Sequence, residues 1–299
     1  NLLFFPVFMA AVAILAGSAA GQDAVFDTKI VSYSIGPDGC SKNLLEKKGK
    51  KEWLTPEKRA FAAVRTGGKL FPATSLKREG GFWRAEFGGS GVKVDFRIAA
   101  RRRYVVIELV RVAEGNVEEI CLSQLQVTCR EKGGWWLGVS YDEKFAVCLL
   151  GLSDCVNVRP GGNGLVMASV YPEFGMEGQK VALVAVPPAQ LLDVVQEVEE
   201  DFKLPSPRLG GQWAKTSRAV RTGYLFTDLT ESNAEETIRF AKLGGFEYIM
   251  TYDGTWSKSS GSYPINTNNF PRGEASLKAT VDRCHSAGLK VGLHFLTSF

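Results

Sequence analysis

Residues 244–256 read GGFEYIMTYDGTW and decide how the C-terminal part of the chain folds. Two glycines are followed by a hydrophobic run, residues 246–252, that is typical of a strand buried on both faces of a parallel sheet. Helical patterns lie on both sides of this run, and further strands are predicted at residues 224–227 and 289–296. The order strand–helix–strand–helix–strand predicts a parallel sheet with right-handed crossovers, in either a doubly wound sheet or a (β/α) barrel.

Helix signals separate the three predicted strands of this region. Ser232 and Glu235, three residues apart, form the pattern of a capping box at the start of the first helix. A polar loop is predicted over residues 253–273, and the second helix over residues 275–287 ends at Gly288. Neither a GxGxxG motif nor a P-loop follows any of these strands, which argues against a nucleotide-binding fold.

The preceding part of the chain, residues 24–204, shows a different pattern. Short runs of β-branched and aromatic residues alternate with Gly, Asp, Asn and Pro, which predicts an antiparallel β-sandwich domain. Apolar residues at helical spacing follow from Leu191 to Phe202, and the Pro- and Gly-rich residues 204–211 predict a linker. The strands are predicted at residues 29–35, 82–87, 92–98, 104–112, 119–128, 135–140, 144–149, 165–170 and 180–186.

The N-terminal residues carry the pattern of a secretory signal peptide. Residues 1–22 contain no charged side chain, and an almost continuous apolar run over residues 2–15 is followed by small residues. We predict a signal peptide over residues 1–21. The apolar run is too short for a membrane anchor, which needs about 20 apolar residues. We therefore expect a secreted or periplasmic protein without a stable membrane anchor.

The composition is that of a globular protein. Hydrophobic residues make up 45% of the chain and charged residues 23%, which argues against a disordered, collagen-like or polytopic membrane protein. The formal net charge is only +4, and basic residues cluster only at Lys47, Lys48, Lys50 and Lys51 and at residues 101–103. A nucleic-acid-binding face needs a larger clustered excess. We interpret both clusters as solvated turns and expect no nucleic-acid partner.

Six cysteines fit an oxidising compartment. Cys121, Cys129, Cys148 and Cys155 fall in one β-rich stretch, which is compatible with disulfides in any of three pairings. None of the cysteines shows a CxxC pattern or a His/Cys spacing suited to zinc. Cys284, in a predicted helix, is interpreted as a buried apolar residue rather than a nucleophile. We therefore expect neither a metal nor an organic cofactor.

The segment quoted first also resembles the second barrel strand of α-galactosidase-like glycoside hydrolases, which ends in Asp-Gly-x-Trp or Asp-Asp-Gly-Trp. The continuation is similar: FPRGEASLK at residues 270–278 and HSAGLKVGL at residues 285–293 resemble F-P-x-G-x-x-x-L-K and H-x-x-G-[LI]-K-x-G-L of that family. The resemblance covers residues 223–299. It implies that residues 212–299 form the first three βα units of a TIM-type (β/α)₈ barrel, which is incomplete in this chain.

The resemblance further implies a sugar pocket at the carboxyl ends of the barrel strands. Asp253 would bind substrate hydroxyls without acting as the nucleophile, and Trp256 would form a stacking wall. The two catalytic carboxylates would come from the fourth and sixth strands, beyond Phe299, so no catalytic residue is assigned in this chain. Tyr252 stands where several relatives have a second Asp, which leaves the identity of the sugar open.

The residue chemistry supports these assignments, although each residue also has a structural interpretation. A carboxylate accepts hydrogen bonds from vicinal hydroxyls, and an indole face covers the apolar side of a pyranose. Asp253 stands in an Asp-Gly pair, which is also a strong turn signal, and Trp256 equally suits packing within the loop. Asp228 either lines the pocket or caps the next helix, and His294 is either a pocket wall or a core histidine. His285, on the second helix, is given no direct role.

The sequence thus predicts a fragment of a secreted glycoside hydrolase that cleaves glycosidic bonds of an oligo- or polysaccharide. On its own this fragment is expected to be inactive and to expose an apolar barrel edge. The alternative is a non-catalytic extracellular carbohydrate-binding or structural protein. Its stacking surfaces would come from tryptophans of the sandwich, namely Trp53, Trp83, Trp135 and Trp136. The oligomeric state is left open.

Overall fold

A computed structural model of the protein describes residues 21–134, 138–220 and 222–296. The chain divides into two compact units, the first ending at Ser206 and the second beginning at Pro207. The proposed signal peptide lies outside the described residues except for Gly21 and stays a prediction. No helix in the described part of the chain is long and apolar enough to cross a membrane.

The first unit is built from antiparallel strands in two sheets. Among the described residues, β1 to β5 form a small sheet in the order β1-β2-β3-β4, with β5 paired to β3, and the other twelve strands form one sheet in the order β12-β13-β14-β17-β10-β9-β8-β7-β6-β11-β16-β15. The strands are β1 (Ala24–Asp27), β2 (Val31–Ile35), β3 (Cys40–Glu46), β4 (Lys51–Glu52), β5 (Arg59–Ala60), β6 (Ala63–Thr66), β7 (Lys69–Glu79), β8 (Phe82–Phe87), β9 (Val92–Ala100), β10 (Tyr104–Glu114), β11 (Glu119–Gln126), β12 (Lys132–Gly133), β13 (Val139–Tyr141), β14 (Ala146–Gly151), β15 (Asn157–Gly162), β16 (Leu165–Val170) and β17 (Lys180–Val186).

Strand β7 joins the two halves of the large sheet. Residues 69–72 of β7 pair with β6, whereas residues 73–79 pair with β8 after an irregularity in the register. Both halves contribute to one core, because Phe96 of β9 and Val166 of β16 are buried in the same hydrophobic cluster. The antiparallel strands of the predicted sandwich are therefore present, but the two layers are continuous through a strand that the sequence analysis did not predict.

Helix α1 (Pro188–Asp201) covers the outer side of this sheet. Val194 and Val198 are fully buried against Val184 and Val186 of β17. The helical spacing predicted the burial of Val198, whereas Leu192, which fits the same spacing, is 38% exposed. The boundary between the two compact units, after Ser206, falls within the predicted linker at residues 204–211. Two short strands, β18 (Arg208–Leu209) and β19 (Gln212–Trp213), pair across its Gly-Gly turn as a hairpin.

All six cysteines are free thiols in the structure, so none of the three compatible disulfide pairings is formed. Cys129 is buried in the main core, whereas Cys148 packs on the side of the sheet that α1 covers. Sequence spacing alone does not show that these side chains lie on different faces. Burial raises the pKa of Cys129 and of Cys148 to about 12, so both thiols stay protonated at neutral pH and are poor nucleophiles.

The second unit contains the parallel sheet that the sequence predicted. Three strands pair in the order β20-β21-β22, with Thr227 beside Thr251 and Thr251 beside Leu293 in the register. The elements are β20 (Tyr224–Thr227), α2 (Ala234–Leu243), β21 (Tyr248–Thr251), the single helical turn α3 (Asp253–Trp256), α4 (Glu274–Ser286) and β22 (Lys290–Leu293).

The two faces of this sheet differ in their surroundings. On one face, Ile249 is fully buried with Ala241 of α2 and Cys284 of α4, which confirms the interpretation of Cys284 as an apolar core residue. On the opposite face, Tyr224 is 55% exposed and Phe226 is 37% exposed. Helices thus cover one face, and large aromatic side chains stand in solvent on the other.

One local prediction in this unit is wrong. The capping box does not form, because α2 begins at Ala234 and Ser232 contacts Thr230 instead. Asn233 occupies the N-cap position, but its side chain makes no capping hydrogen bond and accepts one from the backbone N–H of Thr230 (2.8 Å), which precedes the helix. Asp253 and Gly254 lie in a turn, because Asp253 begins the helical turn α3 and the N–H of Thr255 donates to the carbonyl oxygen of Tyr252 at 3.1 Å.

Candidate functional site

The carboxyl ends of the three parallel strands bring the predicted site residues together. Asp228, Asp253 and His294 follow β20, β21 and β22 within two residues of the strand ends. Because these strands run parallel and in register, their ends lie at one edge of the sheet. The Thr255 hydroxyl donates a hydrogen bond to Asp228 Oδ1, and His294 Nδ1 lies 3.7 Å from Asp253 Oδ1.

Asp253 lies at the centre of this group. Its side chain is partly exposed, and Oδ2 accepts a hydrogen bond from the Ser260 hydroxyl at 3.1 Å. A carboxylate has about four lone-pair positions, so acceptor capacity remains on both oxygens. The side chain is thus fixed by its neighbours and can still accept hydrogen bonds from a ligand.

His294 is fixed by its backbone and by its aromatic neighbour. The backbone N–H of His294 donates a hydrogen bond to the carbonyl oxygen of Thr251 at 2.9 Å, which extends the sheet pairing by one residue. The imidazole meets Phe226 edge to face, with 5.4 Å between ring centroids. Nδ1 is buried and has no hydrogen-bond partner among the described residues, and it faces the Asp253 carboxylate.

Trp256 is mostly buried beside the strand ends. The side chain is 8% exposed, packs against Phe270 and Leu277, and stacks on Tyr263 with 5.4 Å between centroids. Its indole N–H donates to the carbonyl oxygen of His294 at 2.7 Å. This geometry gives Trp256 the role of holding His294 and the loop, and its action as a stacking wall for a sugar stays a prediction.

Asp228 is exposed and does not cap α2, because Asn233 occupies the N-cap position. The Asp228 backbone carbonyl accepts a hydrogen bond from the Asn233 side chain at 2.7 Å. Its carboxylate accepts the hydrogen bond from Thr255 of α3. Asp228 therefore links the loop after β20 to the turn that carries Asp253.

Two aromatic residues of the site were not predicted as ligands. Phe226 and Tyr252 stack with 4.1 Å between centroids and an interplanar angle of 24°, and they are 37% and 42% exposed. We call this pair the aromatic shelf. Successive side chains of a strand point to opposite faces, so the sequence of β20 alone indicates that Phe226 lies on the face opposite to Leu225. Ser260 gave no such signal, because the path of the polar loop decides its position.

Of the sandwich tryptophans, the structure describes Trp53, which is buried in the core, and Trp83, which is partly exposed. A stacking role of Trp83 in the alternative function stays a prediction. Trp53 is 1% exposed and stacks on Phe145 in the core, with 4.5 Å between centroids. Trp83 is partly buried and meets Phe26 edge to face. Trp135 and Trp136 lie outside the described residues. His285 lies exposed on α4.

Comparison with known proteins gives a structural likeness only. No family model and no curated protein sequence matches the chain. The chain is similar to the α-N-acetylgalactosaminidase NagBb of Bifidobacterium bifidum, solved as a complex with GalNAc, with a TM-score of 0.53 and 13% identity over 91% of this chain and 58% of that chain. It is also matched to an α-galactosidase of Lactobacillus brevis, with a TM-score of 0.40 and 11% identity over 94% of this chain and 55% of that chain.

These neighbours are glycoside hydrolases, and the chain spans 58% and 55% of their respective lengths. At 13% identity, the likeness to the first neighbour shows a shared fold. The chain therefore has a fold found among glycoside hydrolases, and its activity has to be argued from the site.

Proposed function

We propose that this chain is part of a secreted glycoside hydrolase that cleaves glycosidic bonds of an oligo- or polysaccharide. One observation carries the proposal. Asp228, Asp253 and His294 meet beside the aromatic shelf at the carboxyl ends of three parallel strands, which is where (β/α) barrels bind substrates. The fold shared with an α-N-acetylgalactosaminidase supports it.

In this proposal Asp253 binds the sugar. Its carboxylate accepts hydrogen bonds from two neighbouring hydroxyls, and such charge-assisted bonds are about twice as strong as neutral ones. The Ser260 hydroxyl holds the carboxylate from the protein side by a hydrogen bond to Oδ2. The aromatic shelf covers the apolar C–H side of the ring, because an aromatic face is a favourable surface for it.

The second unit is proposed to contribute three βα units to a (β/α)₈ barrel. The open sheet face with Tyr224 and Phe226 would then turn toward the barrel interior. Hydrolysis needs two carboxylates, about 5 Å apart for retention or about 6.5–9.5 Å apart for inversion. We propose that other strands of the barrel supply this pair, and we assign substrate binding alone to Asp253.

Secretion and the sugar are also parts of the proposal. The apolar N-terminal residues 1–21 support export through a signal peptide. Tyr252 replaces an acidic residue that several members of the resembling family have, so the hydroxyl pattern recognised need not be that of galactose. GalNAc and galactose are nevertheless the first probes, because the neighbours' names mention these sugars.

The experiment is hydrolysis of a panel of p-nitrophenyl α- and β-glycosides by the product of the complete gene, with the variants D253N and D282N. D253N keeps the shape of the side chain but removes its charge. We expect kcat/KM to fall about 100-fold, or about 2.7 kcal/mol of transition-state binding. Asp282 lies on α4 and pairs with Lys278 at 2.6 Å, away from the strand ends, so D282N should stay within about twofold.

Two outcomes would overturn the proposal. One is a folded product that hydrolyses none of the glycosides. The other is a D253N variant as active as the unaltered protein, which would leave an active enzyme whose substrate site lies elsewhere. Residues 22–299 alone are expected to show no turnover.

A further inference from the structure

A cavity of about 500 Å³ in the first unit collects basic side chains from three separate turns. Lys29 comes from the turn between β1 and β2, Lys48 from the turn after β3, and Arg102 and Arg103 from the turn between β9 and β10. In the sequence, the cluster that contains Lys48 and the cluster that contains Arg102 and Arg103 are far apart, and each was interpreted as a solvated turn. The fold instead brings them to one concave surface.

Backbone hydrogen bonds hold these turns against one another. The N–H of Lys29 donates to the carbonyl oxygen of Arg102 at 2.7 Å, and the N–H of Lys47 donates to that of Ile30 at 2.9 Å. A ligand would therefore meet cations on turns that are already tied together. Such preorganisation lowers the ordering cost of binding.

The charges that face the cavity are predominantly positive. Its lining contains four cationic side chains and one acidic one, Glu46, whose Oε2 accepts a hydrogen bond from the Trp53 indole at 3.3 Å. Arg103 also pairs with Glu197 of α1, which orients its guanidinium. Lys47 points elsewhere, because it pairs with Asp27 at 2.8 Å. Lys29, Lys48 and Arg102 are exposed and supply an excess of positive charge.

The first turn of α1 adds to this field. Pro187 and Gln190 line the cavity, and no side chain caps the start of this 14-residue helix. The N-terminal end of a helix carries a partial positive charge and favours anions. The helix start and the basic turns thus favour the same class of ligand.

We propose that this cavity binds a small ligand that carries two or more phosphate or sulfate groups. Arg102 presents a planar donor fork that matches tetrahedral oxyanions, and Lys29 and Lys48 add point charges. The fork of Arg103 is used by Glu197, so Arg103 borders the cavity without supplying the main contact. The volume is that of a small-molecule pocket. None of the described lining residues is aromatic, so the base stacking used by single-stranded nucleic-acid sites has no platform here.

The test is calorimetric titration of the chain with sodium tripolyphosphate and with sucrose octasulfate in 150 mM salt. Comparison of the two probes separates phosphate from sulfate as the preferred group. We expect one-site binding, with Kd raised at least tenfold in the double variant K29Q/R102Q. The matched control K69Q/R130Q removes the same charges from exposed positions outside the cavity and should stay within twofold. R102K keeps the positive charge but loses the planar donor fork. Its Kd should lie between those of the unaltered chain and of K29Q/R102Q.

Three results would overturn this proposal. One is the absence of saturable binding of either probe to the unaltered chain. A second is an equal loss in K29Q/R102Q and K69Q/R130Q, which would show general charge attraction. The third is equally tight binding of a 20-base-pair DNA duplex that depends on the same residues, which would identify a nucleic-acid surface. Circular dichroism of each variant confirms that a loss is not a folding defect.

Discussion

Asp95 and Asp253 have opposite surroundings, and this difference separates a structural carboxylate from one that is proposed to bind a ligand. Asp95 of β9 is fully buried, with Arg84 Nε at 2.7 Å from Oδ1 and Arg111 Nε at 2.8 Å from Oδ2. The three residues face one another on adjacent strands. The hydrogen bond from Arg84, assisted by Arg111, holds the pKa of Asp95 below its usual value. Both oxygens of Asp95 are engaged, whereas Asp253 keeps acceptor capacity.

Replacement of Asp95 by Asn should destabilise the protein in a pH-dependent manner. Because the folded-state pKa lies below the unfolded value of about 3.9, the stabilisation is present above that pH and is lost as the pH falls through the folded pKa. We expect D95N to lose about 2 kcal/mol of unfolding free energy at pH 7, because it loses hydrogen bonds to a charged group. Urea unfolding between pH 3 and pH 7 measures this loss.

Glu79 provides the matched control, because it contacts the same Arg84 from the surface and is about half exposed. E79Q should cost less than about 1 kcal/mol at any pH. The assignment of Asp95 would be contradicted by equal losses in D95N and E79Q. A difference between D95N and the unaltered chain that stays constant down to pH 3 would contradict it as well.

The loop between β21 and α4 is an ordered element with a small core of its own. Trp256, Phe270 and Leu277 are buried together, and Tyr263 packs on them. Tyr263 also donates its hydroxyl to the carbonyl oxygen of Leu296 at 2.6 Å. These contacts bind the loop to the chain after β22, so the positions of Asp253 and His294 depend on the loop core.

Truncation of Phe270, which is fully buried, should loosen this loop. We expect F270A to cost about 3 kcal/mol and to speed proteolytic cleavage within residues 253–273. The control F240A truncates a half-exposed ring on α2 and should cost less than about 1 kcal/mol. Thermal unfolding and timed protease digestion followed by mass spectrometry measure both effects. Unchanged cleavage of this loop in F270A would show that the apolar cluster does not order it.

Elements with a clear apolar pattern could be predicted from the sequence. The observed bounds of β8, β16, β17 and β20 agree with the predicted residues 82–87, 165–170, 180–186 and 224–227. Predicted strands 246–252 and 289–296 were too long, because Phe246 and Leu289 leave the sheet to pack with the helices. Strand β7 was missed, because it is mostly polar and contains Pro72, so that only its two partner strands define it.

Part of the candidate site could be predicted, because the strands that carry it were predicted. Asp228, Asp253 and His294 follow strand ends, and parallel strands place their ends together. Alternation in β20 indicates the face on which Phe226 lies, but neither its stacking on Tyr252 nor the basic cavity could be predicted. Both depend on contacts between segments whose relative positions are set by the fold, such as the contact of Lys29 with Arg102.

At the scale of the whole molecule, the open face of the parallel sheet has a physical consequence. Tyr224 and Phe226 stand exposed on it. Exposed aromatic groups beside unpaired strand edges favour association. We expect residues 22–299 to bind the dye ANS and to self-associate, and Y224K to reduce both.

Sedimentation velocity at several concentrations measures the self-association of residues 22–299. L243K is the control, since Leu243 is the most exposed large hydrophobic residue described and lies at the end of α2, away from this face. A monomeric chain that binds no ANS would contradict the idea that this face needs a partner. Equal effects of Y224K and L243K would indicate a general effect of added charge.

The central claim is that a sugar binds where Asp253, His294 and the aromatic shelf meet. The most direct measurement is NMR of residues 22–299 during titration with GalNAc and with galactose, observing the His294 ring and the Trp256 indole N–H. We predict saturable shifts of both signals with at least one sugar and their loss in D253N, because the indole N–H donates to the His294 carbonyl. Shifts confined to residues 24–204, or no saturable shift with either sugar, would contradict the claim.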